Sequence, residues 1–239
     1  MGDPGVPIEE SPDEGWVTGL TGAPAPEVRK VLAEAEADRE FWDEVMRAHR
    51  GGGRESYAQI RAPFELYAMA RLLRPRHVVE VGVSSGVSSS AFLRAIQRNG
   101  TGVLHSIDLP TPQKGARFDA GTDSPVALPP GHRSGWAVPP SVRAGWDLRI
   151  GSSRDLLPPL VGELPEIGIF LHDSLHTFEH ATFEFTTVAP KVPVGGVVVA
   201  DNCNWLDHAL EAFAPRLGGP VRFRRGFDLG AVRRLSSAP

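Results

Sequence analysis

The spacing of apolar residues along this chain changes once, and the change divides it in two. From Pro26 to His49, Val28, Val31, Leu32, Phe41, Trp42, Val45 and Met46 recur at helical intervals. Gly51, Gly52 and Gly53 interrupt that pattern. A second helix is expected from about Tyr57 to Leu73, with Pro63 early in it or kinking it and Pro75 ending it. From His77 onward, short β-branched runs alternate with helical stretches. Strands are expected at 77–81, 103–108, 147–150, 167–171 and 197–201, and helices at 87–98, 153–161, 177–189 and 206–217. Two last runs, at 221–224 and 229–234, read as a closing antiparallel pair. Strand alternating with helix means a parallel sheet covered on both faces. The expected fold is therefore α/β: a mostly parallel seven-stranded sheet with helices on both faces, a closing antiparallel C-terminal strand pair, and extra N-terminal helices.

The expected organisation is a mobile segment at 1–25, rich in Gly, Pro and acids, then N-terminal helices at 26–74, then the α/β domain at 75–239. A Pro- and Gly-rich stretch at 109–146, carrying Trp136 and Trp146, breaks the rhythm. Loops this long inside compact domains usually serve a function. It is read as a lid or substrate-facing flap, with a surface insertion as the alternative. The N-terminal helices are read either as a cover for the site or as a contact between two copies of the chain.

Composition narrows the classes. The chain has 239 residues, 41% hydrophobic and 23% charged, with a net charge of −4. That balance points to no nucleic-acid and no membrane partner. No apolar run approaches the roughly 20 residues of a membrane span. The acidic, Pro-rich start at 1–12 lacks the basic and apolar regions of a signal peptide, so a cytoplasmic location is expected. The single cysteine, Cys203, excludes an internal disulfide and a cysteine metal cluster.

Candidate chemistry collects where strands end. Asp201 and Asn202 close the apolar run 195–200, and Asp173 follows the run 167–171 with His172 between. Ligands in open α/β sheets bind beyond the carboxyl ends of the strands. Two adjacent strands would bring Asp173, Asp201 and Asn202 to one spot, and three oxygen ligands, two of them anionic, suit a hard cation such as Mg²⁺. Taken singly, each acid could equally cap the helix that follows it.

Glu80-Val81-Gly82-Val83-Ser84-Ser85-Gly86-Val87-Ser88 lies directly between a strand and a helix. Gly82 permits a tight turn, and Gly86 lets backbone approach a ligand at the helix N-terminus. The segment lacks the Gly-Lys-Ser/Thr of a phosphate loop, and its glycines are four apart instead of two as in dinucleotide folds. Glu80 would repel a pyrophosphate and suit a cationic ligand or an amino group. Asp108, ending the next strand, is placed to grip ribose hydroxyls. A nucleoside carrying an amino acid and a positive centre is S-adenosylmethionine.

On these residues the chain resembles class I, Rossmann-like S-adenosylmethionine-dependent methyltransferases. It is most similar to the cation-dependent O-methyltransferases of the catechol, caffeoyl-CoA and macrolide-sugar type, over about residues 56–234. The resemblance implies that Glu80, Gly82, Ser85, Gly86 and Ser88 bind the methionine part of the cofactor and Asp108 its ribose. Ser153 and Arg154 would contact adenine. Asp173, Asp201 and Asn202 would hold the metal, with Asp173 also counted among the cofactor-binding residues. Catechol-type relatives carry a lysine base three residues after the first metal aspartate. Here that position is His176, as in the sugar-modifying relatives. The implied reaction is metal-assisted methylation of a small-molecule hydroxyl, on a natural product or sugar, with His176 removing the proton.

The phrase from His172 to His180 also resembles a bacterial cephalosporin-hydroxylase-like subgroup. Two alternatives therefore stand beside the enzyme: a metal protein of that type and a non-catalytic S-adenosylmethionine-binding partner protein. Trp136 and Trp205 are candidates for the substrate wall, or equally core residues.

Overall fold

The computed structural model describes residues 11–52, 62–109, 128–129, 131–226 and 229–236. Strands β1 (His77–Val81), β2 (Val103–Asp108), β3 (Trp146–Ile150), β4 (Ile169–His172), β5 (Val197–Ala200), β6 (Val221–Phe223) and β7 (Gly230–Arg233) form one sheet in the order β3-β2-β1-β4-β5-β7-β6. Neighbours from β3 through β5 are parallel. β7 runs antiparallel to both β5 and β6.

Alternation along the strands divides the core between the two faces. Val78, Leu104, Ile169, Leu171, Val197 and Val199 pack under helices α1 (Glu14–Thr21), α2 (Ala25–Ala37), α3 (Arg39–Gly51), α4 (Pro63–Leu73) and α5 (Val87–Asn99). Val79, Val81, Ile107, Phe170, Val198 and Ala200 face α6 (Ser153–Glu163), α7 (Phe178–Val188) and α8 (Ala209–Phe213). Because both faces are covered, the central strands β4 and β5 read as nearly continuous apolar runs in the sequence. The chain goes from β1 outward to β2 and β3, then returns to place β4 on the other side of β1. That reversal opens a crevice at the carboxyl ends of β1 and β4.

The N-terminal third departs from the expected layout. Within the segment expected to be mobile, residues 14–21 form α1: the Asp13 carboxylate accepts from the Trp16 amide, and Gly22 closes the helix in the left-handed region at φ 73°. Trp16, Val17 and Leu20 are buried, and the indole N–H of Trp16 donates to Arg222 O at 2.8 Å, covering the edge strand β6. The single helix expected at 26–49 is two, broken at Asp38 (φ −82°, ψ 50°). The Asp38 carboxylate is held by Arg94, at 2.7 and 3.0 Å, and by Arg98, which fastens the break to α5. The expected helix from Tyr57 lies partly outside the described residues, and its described part begins with Pro63 at the first helical position. At the other end, the helix expected at 206–217 is α-helical only over α8. Asp207 and His208 are left-handed before it, and a 3₁₀ turn at Ala214–Leu217, opened by Pro215, follows it. Among the described residues no helix is long and apolar enough to cross a membrane.

Phe170 is fully buried on β4, edge-to-face with Phe185 of α7 at 6.5 Å. Phe170→Ala should cost about 3–5 kcal/mol in denaturant unfolding. Val194→Ala, at a position 61% exposed, should stay within about 0.5 kcal/mol of the parent.

Candidate active site

The turn after β1 is built on absent side chains. The Gly82 amide donates to Ile107 O at 2.9 Å, and its φ is +91°. A Cβ there would overlap the carbonyl oxygen of Asp173. Gly86 (φ +91°) precedes the first residue of α5, and a Cβ on it would come within 2.5 Å of Val138 and 3.0 Å of the Gly135 backbone. The described end of the long loop therefore lies on the glycine turn: the Gly135 and Ala137 amides donate to Ser84 O and Ser85 O at 2.8 and 2.9 Å. Most of the expected flap, 110–127 and residue 130, lies outside the described residues. Trp136 belongs to this brace. It stacks on His49 at 6.4 Å and donates to Ala48 O, tying the loop to the end of α3.

Glu80 is wholly buried. Its carboxylate accepts from Ser88 at 2.5 Å, Ser89 at 2.6 Å and Ser106 at 2.7 Å. Burial raises its pKa to about 7, although the three hydroxyls oppose the rise. With no exposed surface and three hydroxyls on its carboxylate, Glu80 ties the start of α5 and the strand β2 to the end of β1. Ser88 is committed to Glu80, and the Ser85 hydroxyl lies 2.9 Å from His49 Nδ1. Asp108 differs. Its Oδ1 accepts from the Leu109 amide at 3.1 Å, while its buried Oδ2 has no hydrogen-bond partner among the described residues. Burial raises its pKa against the pull of Ser134 and nearby backbone amides. An unpaired acceptor at a strand end beside a helix N-terminus fits the hydroxyls of a nucleoside.

Asp173 and Asp201 meet because β1, β4 and β5 are neighbours in register: Val81 opposes His172, and His172 opposes Ala200. The Asp173 amide donates to Val81 O at 2.8 Å and the Asp201 amide to His172 O at 2.9 Å. One ligand atom from each of Asp173, His176 and Asp201 can be chosen so that all lie within 4.8 Å of one another. Burial and the neighbouring Asp201, which shares a hydrogen bond with it, push Asp173 well above the usual carboxylate range. His176 Nε2 is buried without a hydrogen-bond partner among the described residues, 3.8 Å from Asp173 Oδ1. Burial, then His172, lowers the His176 pKa to about 4. Asn202 follows in the left-handed region (φ 48°, ψ 43°), which asparagine tolerates better than most residues. Trp205 is 63% exposed and meets the His176 ring edge-to-face at 5.8 Å.

Ser153 and Arg154 sit at the start of α6, which Ser152 caps. Ser153 is buried with its hydroxyl 3.0 Å from His180 Nε2. Arg154 is exposed, with its guanidinium over the Phe183 ring at 5.0 Å. Three residues stand out that sequence reasoning did not raise as members of the site: His49, behind Ser85; Glu184, buried between His172 and His180; and Ser174, bonded to Glu184. A signal for Glu184 existed. It falls on the buried stripe of α7 with His180, Ala181, Phe185 and Val188, where a carboxylate needs partners.

A mostly parallel sheet in this strand order, with a glycine turn after β1, is a fold shared with solved methyltransferase structures. Residues 79–203 match a family model described as a methyltransferase domain, and the chain belongs to that family. Similar folds are found in the methyltransferase PaMTH1 of Podospora anserina, a structure with S-adenosylhomocysteine bound (TM-score 0.56, 14% identity, covering 81% of this chain and 88% of that one). The O-methyltransferase TomG of Streptomyces achromogenes gives a TM-score of 0.54 at 20% identity, over 81% of this chain and 90% of that one. CalS11, a calicheamicin methyltransferase, gives 0.52 at 16% identity over 98% of both chains. No curated protein matches the sequence.

Glu80 makes a sharp pH prediction. Between the usual carboxylate value of 4.5 and about 7 the folded protein holds a proton that the unfolded chain has released, so this group's contribution to stability falls as pH rises through that window. Glu80→Gln stays neutral and should lose that dependence. The difference between the parent and variant unfolding free energies should change by up to about 3 kcal/mol from pH 4.5 to 7. Parallel profiles would mean that Glu80 titrates normally.

Proposed function

We propose that this methyltransferase moves a methyl group from S-adenosylmethionine to a hydroxyl of a small molecule, a natural product or sugar. Asp173, Asp201 and Asn202 would hold a divalent cation such as Mg²⁺, with His176 as the base. The observation that carries this reading is the cluster of Asp173, His176 and Asp201 directly against the glycine turn, with Asp173 backbone filling the space a Gly82 side chain would need. Methyl donor and acidic cluster are then neighbours by construction.

The residues fit a cation. Two carboxyls this close cannot both ionise without a counter-charge, which is why Asp173 keeps its proton so far above the usual range. When bound, a divalent cation supplies a Lewis acid that lowers the pKa of a hydroxyl. The donor supplies an electrophilic methyl. The protein's part is to bind, orient and move one proton. Asp108 Oδ2 offers an acceptor for the ribose, and the N-terminus of α5 presents backbone beside Gly86. Burial keeps the His176 ring neutral across physiological pH, so it stands ready to accept the substrate proton, and Asp173 beside it stabilises the imidazolium that results. Holding the acceptor oxygen in line with the methyl group contributes most of the remaining rate gain. Two of the similar folds come from proteins described as involved in tomaymycin synthesis and as a calicheamicin methyltransferase, which supports a natural-product acceptor.

Calorimetric titration with S-adenosylhomocysteine, in Mg²⁺ and then in chelator, is the first test. Micromolar or tighter binding is expected, and no binding in either condition would remove the cofactor assignment. Methyl transfer to hydroxylated acceptors should then require the cation. His176→Ala should cut kcat by about 10²–10⁴-fold with little change in S-adenosylhomocysteine affinity, and unchanged turnover would take His176 out of the mechanism. Asn202→Gly separates two roles. It keeps the left-handed backbone, so a lowered Mg²⁺ affinity would identify the amide as a ligand, and an unchanged affinity would leave Asn202 a backbone role only.

A further inference from the structure

The acid that the mechanism leaves unused is Glu184, and it is fully buried. Its Oε2 lies 2.7 Å from His172 Nδ1. Its Oε1 lies 2.9 Å from His180 Nε2 and accepts from the Ser174 hydroxyl at 2.9 Å. His180 Nε2 also lies 3.0 Å from the Ser153 hydroxyl. The end of β4, the loop after it and α7 thus converge on one carboxylate, and the first residue of α6 joins them through His180.

We propose that Glu184 is the positioning residue of the site: by holding His172 and Ser174, which flank Asp173 on either side, its buried carboxylate fixes the loop that carries Asp173 and His176. The inference rests on the reading of Asp173 and His176 given above. Packing alone does not ask for a carboxylate here. Glu184 shares its helical stripe with Ala181, Phe185 and Val188, and an apolar side chain would fill the space without the several kcal/mol of desolvation that a buried ion incurs. Burial opposes its ionisation, but the hydrogen bonds from His172 and His180 outweigh it and hold Glu184 at about 2. An ionised carboxylate accepts only, so His172 donates from Nδ1 and His180 from Nε2. That leaves His172 Nε2 and His180 Nδ1 bare, and both are buried without a hydrogen-bond partner among the described residues. The His172 ring, locked in this way, packs edge-to-face against the His176 ring at 5.7 Å. His176 therefore takes its orientation from two aromatic edges, the His172 side set by Glu184 and the Trp205 side open to solvent.

Glu184→Gln tests this without changing volume. Its amide NH₂ cannot accept from His172 or His180, so one of the two histidines must either release or switch tautomer to accept from it. Mn²⁺ affinity, measured by electron paramagnetic resonance, should fall about 10–100-fold, the range seen when residues behind metal ligands are altered. S-adenosylhomocysteine affinity should change much less. Ser174→Ala, which removes one hydroxyl and leaves both histidine bonds to Glu184 in place, should fold even where Glu184→Gln does not, and should weaken Mn²⁺ binding by a smaller factor. Imidazole ¹⁵N spectra of the metal-free protein give a readout that does not depend on the cation. They should show the Nδ1–H tautomer of His172 in the parent and shifted His172 and His176 resonances in both variants. Variants with parental Mn²⁺ affinity and unmoved histidine resonances would overturn the proposal. If the parent itself binds no Mn²⁺, the metal reading of the site fails, and the histidine spectra alone decide whether Glu184 sets the loop.

Discussion

The structure turns on one backbone contact, Gly82 against the carbonyl of Asp173. β1 and β4 are neighbours only because the chain reverses its direction of travel across the sheet at β1. Their carboxyl ends then compete for the same space, and only a residue without Cβ, in a conformation that L side chains avoid, lets them close. From that contact follows the rest of the site. The turn after β1 is pressed against the first acid of the cluster, and β5, next in register, adds the second acid one strand further on. The interval in space between donor pocket and acidic cluster is thus set by backbone, before any functional side chain is considered.

Five buried or partly buried acids gather at this end of the sheet, and their surroundings sort them into two kinds. Glu80 and Glu184 are saturated from within, one by three serine hydroxyls and the other by two imidazoles and a hydroxyl. Their values diverge in opposite directions, to about 7 and about 2, because neutral hydroxyls do not offset burial while imidazole donors more than offset it. Asp108 and Asp173 are held differently, and Asp201 lies beside Asp173. Asp108 keeps a bare oxygen, and Asp173 shares a proton with Asp201. Buried polar groups are normally paired, so the saturated acids build the site, and Asp108 and Asp173 are where a ligand gains most by binding.

How much of this was legible in the sequence depends on whether the signal was local. The parallel strands carry theirs in their own residues, since burial on both faces demands continuous β-branched runs, and every strand from β1 to β7 falls within two residues of its expected place. The acids at the strand ends follow from the same runs. The interruption at Asp38 was not legible, because the residues on both sides keep a helical period and only the distant Arg94 and Arg98 explain the break. The part played by Glu80 was hidden for the same reason. The hydroxyls of Ser88, Ser89 and Ser106 close on this strand-end acid from helix α5 and from β2, and its own strand carries no sign of them. Helix α1 was not legible because its glycines mask a short apolar face that has meaning only against α2, α4 and the β6–β7 edge.

The two sides of the site are supported differently, and this bears on specificity. The glycine turn is braced from outside by segments that belong to neither strand nor crossover helix: His49 of α3 reaches Ser85, and the 135–137 backbone bonds to Ser84 and Ser85. Trp136, a candidate for the substrate wall or equally a core residue, belongs to this brace, stacked on His49. The acidic cluster is instead held from within, by Glu184 through His172 and Ser174. Its outer side carries Trp205, the most exposed of the large apolar side chains among the described residues. An indole left open beside the proposed base costs exposed apolar surface and gains only one edge contact with His176 in return. Of the two tryptophans raised by the sequence, Trp205 is therefore the one whose free face is available to an acceptor, while Trp136 serves the donor side by keeping its loop in place.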